Sequence, residues 1–337
     1  MSSPSPPALG VRIISSGIYV PRERVDSSRF DQSLGKPAGW TQRHMGMTER
    51  PHAGPGETSS WMGAQAARQA LGSAGLEANQ VDVVISACGV MEQALPCTAA
   101  LIHRELGLAG SGIGAFDVNA SCLSFLSALD LASLAIAGGR YRRVLIVSSE
   151  VATAGLNWDD PDTAPLFGDG AAAVVLEADA TGRSAVLAAH LQTFSEGADH
   201  CRVRAGGTRL RVADDPQAYL AAARFEMAGK PTYRLAAQKL PKFIDGLLQR
   251  AGVALGELRC IVPHQASSKA LRHLERALGL PSALLVRILD THGNQMAASI
   301  PTALHHALSA GRVRRGDTIA LVGSGAGLSL GGVVLRY

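Results

Sequence analysis

The chain has 337 residues, with 32 Lys and Arg against 28 Asp and Glu, for a formal net charge of +4. Hydrophobic residues make up 47% and aromatics 4%, enough for two domain-sized halves around an aliphatic, Ala-rich core. No Lys/Arg block is long enough to suggest nucleic acid, and the most apolar helical run, 123–137, is too short for a bilayer and contains Asp130.

The opening stretch 1–10 is Ser/Pro-rich and has no apolar signal region. The five cysteines, Cys88, Cys97, Cys122, Cys201 and Cys260, are odd in number and form no CxxC or zinc-ligand pattern. A reduced, cytoplasmic protein without a metal site is the expectation.

In chain order, strands are predicted over 11–18, 81–87, 113–118, 143–149 and 171–177. Helices are predicted over 58–74, 97–106 and 125–137, with Gly75 and Gly107 closing the first two. The turn Gly168-Asp169-Gly170 leads into the strand at 171. Val/Ile/Leu runs without alternation indicate strands covered on both faces. The second half repeats the plan. Helices are predicted over 231–251, 267–278 and 299–310, and strands over 260–263, 283–288, 318–322 and 333–336. Two halves of similar order, 1–180 and 181–337, imply a duplicated α/β layered unit. The segment 193–225 mixes Arg, Gly and Asp irregularly and reads equally as a cap over the site or as a surface insertion.

Cys122 lies between the predicted strand 113–118 and the helix 125–137. A helix N-terminus carries roughly half a positive charge and lowers a nearby thiol pKa, so a reactive thiolate is expected there. A Cys among small residues is, taken alone, more often an inert core residue. Two later segments change the balance: Val262-Pro263-His264-Gln265-Ala266, and His292-Gly293-Asn294 followed by Ala298-Ser299-Ile300-Pro301. The order Cys, His, Asn also occurs in papain-like proteases, but their Cys-Gly-Ser-Cys-Trp surroundings are missing. The glycine run 323–327 lacks the Lys-Ser/Thr of a phosphate loop and precedes a strand, which excludes nucleotide hydrolysis of that type. His292, His305 and His306 lack a third ligand at metal spacing, and a solvated helix face is expected for them.

Six motifs in order resemble the thiolase-fold condensing enzymes, specifically ketoacyl synthase III. They are Trp40 with Gly46-Met47-Thr48-Glu49-Arg50; Asn119-Ala120-Ser121-Cys122; Leu166-Phe167-Gly168-Asp169-Gly170; His264-Gln265-Ala266; Gly293-Asn294 with Ala298-Ser299-Ile300-Pro301; and Gly323-Ser324-Gly325-Ala326-Gly327. The resemblance runs from about residue 11 to the end. It implies a thiolase-like fold of two duplicated βαβαβ halves in αβαβα layers. It implies decarboxylative Claisen condensation of an acyl primer, held on Cys122, with a malonyl thioester carried by an acyl carrier protein. His264 and Asn294 would hold the developing enolate oxygen, and backbone N–H groups at Cys122 and near Ser324 would form an oxyanion hole. No tightly bound cofactor is implied. The substrates would be coenzyme A or acyl-carrier thioesters, and the partners an acyl carrier protein and a second copy of the chain.

Departures from the family pattern bear on the substrate. Trp40 fits the Trp that stacks on the adenine of coenzyme A, but the Arg expected four residues later is His44, with Arg43 beside it, and a second adenine-side Arg is Pro161. Ser267 stands where Asn is usual, and Lys269 where an Arg docks acidic carriers, keeping charge but losing bidentate geometry. Arg272 and Arg276 would extend that patch. Leu95 replaces an aromatic primer-pocket residue, which points to a primer other than acetyl. Head-to-head condensation of two acyl thioesters, or acyl transfer to an alcohol or amine, is the alternative reaction. The first of these relies in its relatives on a Glu at position 95, and here the nearest is Glu92. A non-catalytic partner subunit is disfavoured by the intact Cys-His-Asn set.

Overall fold

The computed structural model describes residues 8–337, so most of the Ser/Pro-rich opening stretch lies outside the described residues. Two sheets carry the fold. In the first, the strand order is Val11–Tyr19, Gly170–Ala178, Arg143–Glu150, Val83–Ser86, Gly114–Asp117. Its last three strands are mutually parallel, and the other pairings are antiparallel. In the second sheet, Cys260–Pro263 lies parallel to Thr318–Gly325. Ser329–Arg336 and then Ala185–Thr193 add on antiparallel.

Helices complete five layers, αβαβα. Ser59–Ser73 packs on the outer face of the first sheet, with its Thr58 hydroxyl accepting the Trp61 N–H as a cap. Ser124–Ala137 and Ser299–Ser309 lie between the sheets and touch strands of both. Gly229–Ala251 covers the outer face of the second sheet, and Ser268–Leu278 packs beside it. Every residue of Arg143–Glu150 is buried, and its apolar stretch 144–147 is what a strand with helices on both faces calls for. The helix Ser124–Ala137 is apolar nearly all round for the same reason. Leu123, Phe125, Leu129, Ile300 and Leu304 fill the space between the sheets. Each such side chain contributes roughly 1.5–3 kcal/mol by leaving water.

Several elements differ from the sequence reading, which anticipated neither the paired strands Glu23–Asp26 and Glu49–His52 nor the short helices Ser27–Ser33 and Trp40–Met45. The strand expected at 283–288 is a short helical turn, Ser282–Leu284, followed by a single bridge between Leu285 and Ile261. The buried Gln265 side chain takes the place of a longer ladder. Its amide donates to the carbonyls of Pro263 (2.8 Å) and Val286 (3.1 Å). Its oxygen accepts the N–H groups of Ile288 (3.1 Å) and Leu289 (3.2 Å). The strand Ala185–Thr193 was not anticipated, because its Ala-rich sequence has weak strand preference and pairing with Ser329–Arg336 decides its state.

The segment 193–225 is more ordered than its composition suggested. It contains the helix Pro216–Ala222, capped by Asp215, and a two-residue strand, Cys201–Arg202, paired with Glu226–Met227. Arg202 and Arg204 share the Glu226 carboxylate at 3.0 and 2.8 Å. Phe194 exchanges two backbone hydrogen bonds with Leu328, at 2.7 and 3.1 Å. This docks the segment on the turn that follows Thr318–Gly325.

Candidate active site

Cys122 sits just before the helix Ser124–Ala137. The turn that delivers it is tight: Leu123 N–H donates to Ala120 O (3.1 Å) and Ser124 N–H to Ser121 O (3.0 Å). The Ser124 hydroxyl accepts the Ala120 N–H at 2.9 Å. Ser121 takes φ 54°, a left-handed conformation that a non-glycine residue keeps only when its surroundings hold it.

The thiol is not the depressed one expected from the helix terminus. Burial, followed by the charge of Glu150, pushes Cys122 up to about 12. The backbone N–H groups of Cys122 and Ala326 act on the sulfur in the opposite sense. The second amide at the sulfur is therefore that of Ala326, two residues beyond Ser324. Ser324 itself is a strand residue, paired with Leu330.

His264 follows Cys260–Pro263 and is held by its N–H donating to Val322 O at 2.8 Å. It is 5% exposed, and burial alone lowers it to about 4. Its Nδ1 is buried without a partner. A buried N–H without an acceptor is the costlier alternative, which places the proton of the neutral ring on Nε2. Gly323 brings this residue close to the nucleophile segment. A Cβ there would lie 3.0 Å from both the His264 Cβ and the Leu123 Cδ2, so a larger residue would push one of them aside by a few tenths of an ångström, and glycine lets the strand pass between them undisturbed.

Asn294 is fixed from three sides. Its N–H donates to Leu166 O (2.9 Å), and its own carbonyl accepts the Gly168 N–H (3.2 Å). Its side-chain amide donates to Ala266 O (3.3 Å), and its Oδ1 accepts the Met296 N–H (2.9 Å). The second amide hydrogen stays uncommitted. Gly168-Asp169-Gly170 supports this arrangement as structure: the buried Asp169 carboxylate accepts the N–H groups of Ala53 (2.8 Å) and Thr153 (2.9 Å) and the Thr153 hydroxyl (2.7 Å). A cleft lined by Tyr233, Leu240, His264, Ala266, Leu274 and Ser324 reaches the site from the outer helices.

The remaining histidines of the segment are not on a solvated face. His292 is buried, and its Nε2 lies 3.3 Å from that of His306; His305 bonds Ser16 Oγ at 2.9 Å. Burial lowers His52, His264 and His292 to about 4. The unfolded chain therefore binds more protons between about pH 6.5 and pH 4, and stability falls as pH drops through that window. The slope is about 1.4 kcal/mol per pH unit for each group. Thermal melts at successive pH values should show the melting temperature falling below about pH 6.5. An unchanged melting temperature down to about pH 4.5 would contradict neutral burial of these rings.

Comparison with known proteins bears directly on this arrangement. Residues 116–195 match the family model of 3-oxoacyl-[acyl-carrier-protein (ACP)] synthase III, and residues 248–337 match its C-terminal model. The chain is 35% identical over 333 residues to the β-ketoacyl-[acyl-carrier-protein] synthase III of Roseobacter denitrificans, covering 97% of this chain and 99% of that one. The chain belongs to the synthase III family. The crystal structure of the Aquifex aeolicus synthase III superposes with a TM-score of 0.88 at 31% identity, covering 97% of this chain and all (100%) of that one. The priming β-ketosynthase of the R1128 polyketide pathway gives 0.88 at 29% identity, with 99% and 98% covered. These matches bear out the thiolase-like layered fold and make the chain a synthase III-like acyltransferase.

Other residues singled out in this synthase III chain lie further out. Trp40 begins a short helix, Trp40–Met45, and its ring is stacked on His44, with centroids 4.3 Å apart and planes at 22°. Lys36 Nζ lies 5.2 Å from the same ring. Arg43 turns back to donate to Ala38 O at 3.1 Å. Ser267 caps the helix Ser268–Leu278, accepting the Ala270 N–H at 3.2 Å. Lys269, Arg272 and Arg276 are exposed on that helix. Leu95 is 85% exposed. Glu92 is engaged structurally, accepting the Ser60 N–H at 2.5 Å at the start of Ser59–Ser73. Sequence reasoning missed Ala326, whose role is a backbone one, and Glu150, whose only signal is an acid ending a buried strand.

Proposed function

We propose that Cys122, His264 and Asn294 carry the synthase III reaction in this chain: decarboxylative Claisen condensation of an acyl thioester primer with a malonyl thioester. The observation that carries this assignment is the convergence of the Cys122 turn, His264 and the Gly323 strand, with two backbone N–H groups at the sulfur. The Cys122 sulfur attacks the primer carbonyl, and the N–H groups of Cys122 and Ala326 hold the oxyanion. The primer's thiol leaves with the proton that Cys122 loses. The malonyl thioester then loses carbon dioxide, and the electron pair of the broken bond enters an enolate. The His264 Nε2–H and the free Asn294 amide hydrogen hold its oxygen. The enolate carbon attacks the acyl carbonyl, Cys122 departs as a thiolate that takes a proton from water, and a β-ketoacyl thioester results.

Several features favour the finer assignments. The primer and the malonyl group arrive on coenzyme A or on an acyl carrier protein, and no cofactor is held tightly. One face of the Trp40 ring is taken by His44, so an adenine stacking on that face displaces His44, whereas a carrier-bound thioester need not. Lys269, with Arg272 and Arg276, offers positive charge to an acidic carrier. Residues 1–180 and 181–337 form the two halves, and 193–225 caps the cleft. The edge strand Gly114–Asp117 leaves one side unpaired, and Phe116, Leu131 and Leu134 are 41%, 52% and 52% exposed. That surface suits a second copy of the chain. Leu95, flexible and exposed, favours a primer longer than acetyl. The free cysteines suit the cytoplasm; among the described residues, no helix is long and apolar enough to cross a membrane.

Intact-mass spectrometry with a panel of acyl-CoA and acyl-carrier primers tests the reading. An acyl adduct mapped to Cys122, and discharged by malonyl-carrier with release of carbon dioxide, is expected, with medium-chain primers exceeding acetyl. An adduct that discharges only to a second acyl thioester, an alcohol or an amine would replace this reaction with the alternative.

A further inference from the structure

Among the described residues, Glu150 is the acid that acts on the Cys122 thiol and that the proposed chemistry leaves without a task. It ends the strand Arg143–Glu150 with 0% exposure. Its oxygens are met by backbone N–H groups. Gly89 N–H donates to Oε1 and Val90 N–H to Oε2, the latter at 3.3 Å; Ala297 N–H is a third donor. These donors come from two separate segments. Gly89 and Val90 open the loop that runs to Leu95, and Ala297 belongs to the turn after Asn294.

A third segment meets them at Gly89. A Cβ on that residue would lie 3.1 Å from the Met296 Cε, 3.3 Å from Glu150 Oε1 and 3.3 Å from the carbonyl carbon of Ser121. The Asn119 amide also donates to Gly89 O, at 3.2 Å. Among the described residues, Ser121 and Met296 are the two non-glycine residues with positive φ, 54° and 48°. One adjoins Cys122 and the other follows Asn294 by two positions. Each such conformation is held in place by its surroundings, and both lie beside the backbone that Glu150 ties down.

We propose that Glu150 is a positioning residue: its carboxyl group clamps the Gly89-Val90 backbone and the Asn294 turn behind Cys122, keeping the nucleophile and the enolate donors in register. This rests on the reading of Cys122 as the nucleophile. The clamp also communicates charge. Burial raises Glu150 to about 8 against the pull of its three amide donors, and its negative charge acts on the Cys122 thiol. The other ionisable groups that face it are Asp169 and the Cys88 and Cys122 thiols. Below about pH 8 a protonated Glu150 removes its share of the upward push on the thiol while burial and the nearby Cys201 remain; above it, the carboxylate adds to them and opposes the thiolate.

The test is peptide-resolved iodoacetamide alkylation of Cys122 from about pH 6 to about pH 10, read as a rate at each pH because the thiol titrates above that range, with acyl-adduct rates and melting temperatures, for the full chain and for Glu150→Gln and Glu150→Asp. Gln removes the charge and turns an NH₂ toward backbone donors. Its alkylation rate above about pH 8 should rise at least ~3-fold, while acyl transfer at neutral pH falls several-fold. Asp keeps the charge but is one methylene short, so its alkylation rate should not rise while its acyl transfer falls. A folded Glu150→Gln with unchanged alkylation and acyl rates overturns the proposal. If Gln does not fold, Asp decides: a cooperative melt with an undiminished acyl rate overturns it. If the unaltered chain acquires no acyl adduct while the alkylation rates change as stated, the reading of Cys122 as acyl carrier fails and the coupling to Glu150 stands.

Discussion

Cys122→Ala should abolish the acyl adduct and lower condensation at least ~10³-fold, since the amides of Cys122 and Ala326 act on this sulfur. The fold should survive. Cys122 is only partly buried and lies outside the helix proper, so loss of one sulfur should change stability by ~1 kcal/mol or less. The informative part is what remains. His264 and Asn294 are held by Val322, Leu166, Ala266 and Met296, none of which depends on the sulfur. The variant should still release carbon dioxide from a malonyl thioester, with the enolate taking a proton from water to give the acetyl thioester. Cys122→Ser should retain the fold and form little adduct, because a hydroxyl at this position is a far weaker nucleophile than a thiol. Intact-mass measurement of the adduct and product analysis of the malonyl thioester check both halves. An adduct that persists in Cys122→Ala would move the nucleophile to another cysteine.

The parts of this molecule that were legible in the sequence are those decided by local pattern. The strand Arg143–Glu150 announced itself by the apolar stretch 144–147, and the helix Ser268–Leu278 by a Ser cap and a Gly stop. The strand Ala185–Thr193 was hidden because only a partner 140 or so residues away makes Ala-rich sequence extended. The segment 283–288 has strand composition, yet Gln265 consumes the polar groups that a longer ladder would use. At the site, side-chain types could be read: a Cys before a helix, a His after a buried strand, an Asn in a glycine turn. The amide of Ala326 could not be read, since backbone donors leave no mark in residue identity. Nor could the state of the thiol, because the helix terminus was visible in sequence whereas the burial and the Glu150 charge that outweigh it are tertiary facts.

His264→Ala and Asn294→Ala should leave primer loading nearly intact and each lower condensation by ~10²–10³, the loss expected when one of two oxyanion donors is removed. The two residues differ in what else they hold. The His264 side chain makes no hydrogen bond through Nδ1, so its truncation removes a donor and leaves a cavity. The Asn294 Oδ1 accepts the Met296 N–H at 2.9 Å, so truncation there also orphans a buried donor and should cost an additional ~1–3 kcal/mol of stability. Asn294→Asp tests the donor. Its carboxylate still accepts from Met296, but it offers no hydrogen to Ala266 O or to the enolate and sets a negative charge against both. Asn294→Asp should therefore condense more slowly than Asn294→Ala, with no gain in melting temperature. His264 contributes no acidic limb above about pH 5, because burial keeps it neutral down to about 4. Rates of carbon dioxide release, measured beside primer loading over pH 5.5–8 (roughly one to two units clear of that midpoint), check the assignment. A loss confined to primer loading in either Ala variant would instead assign that residue to the first half-reaction, beside the amides of Cys122 and Ala326.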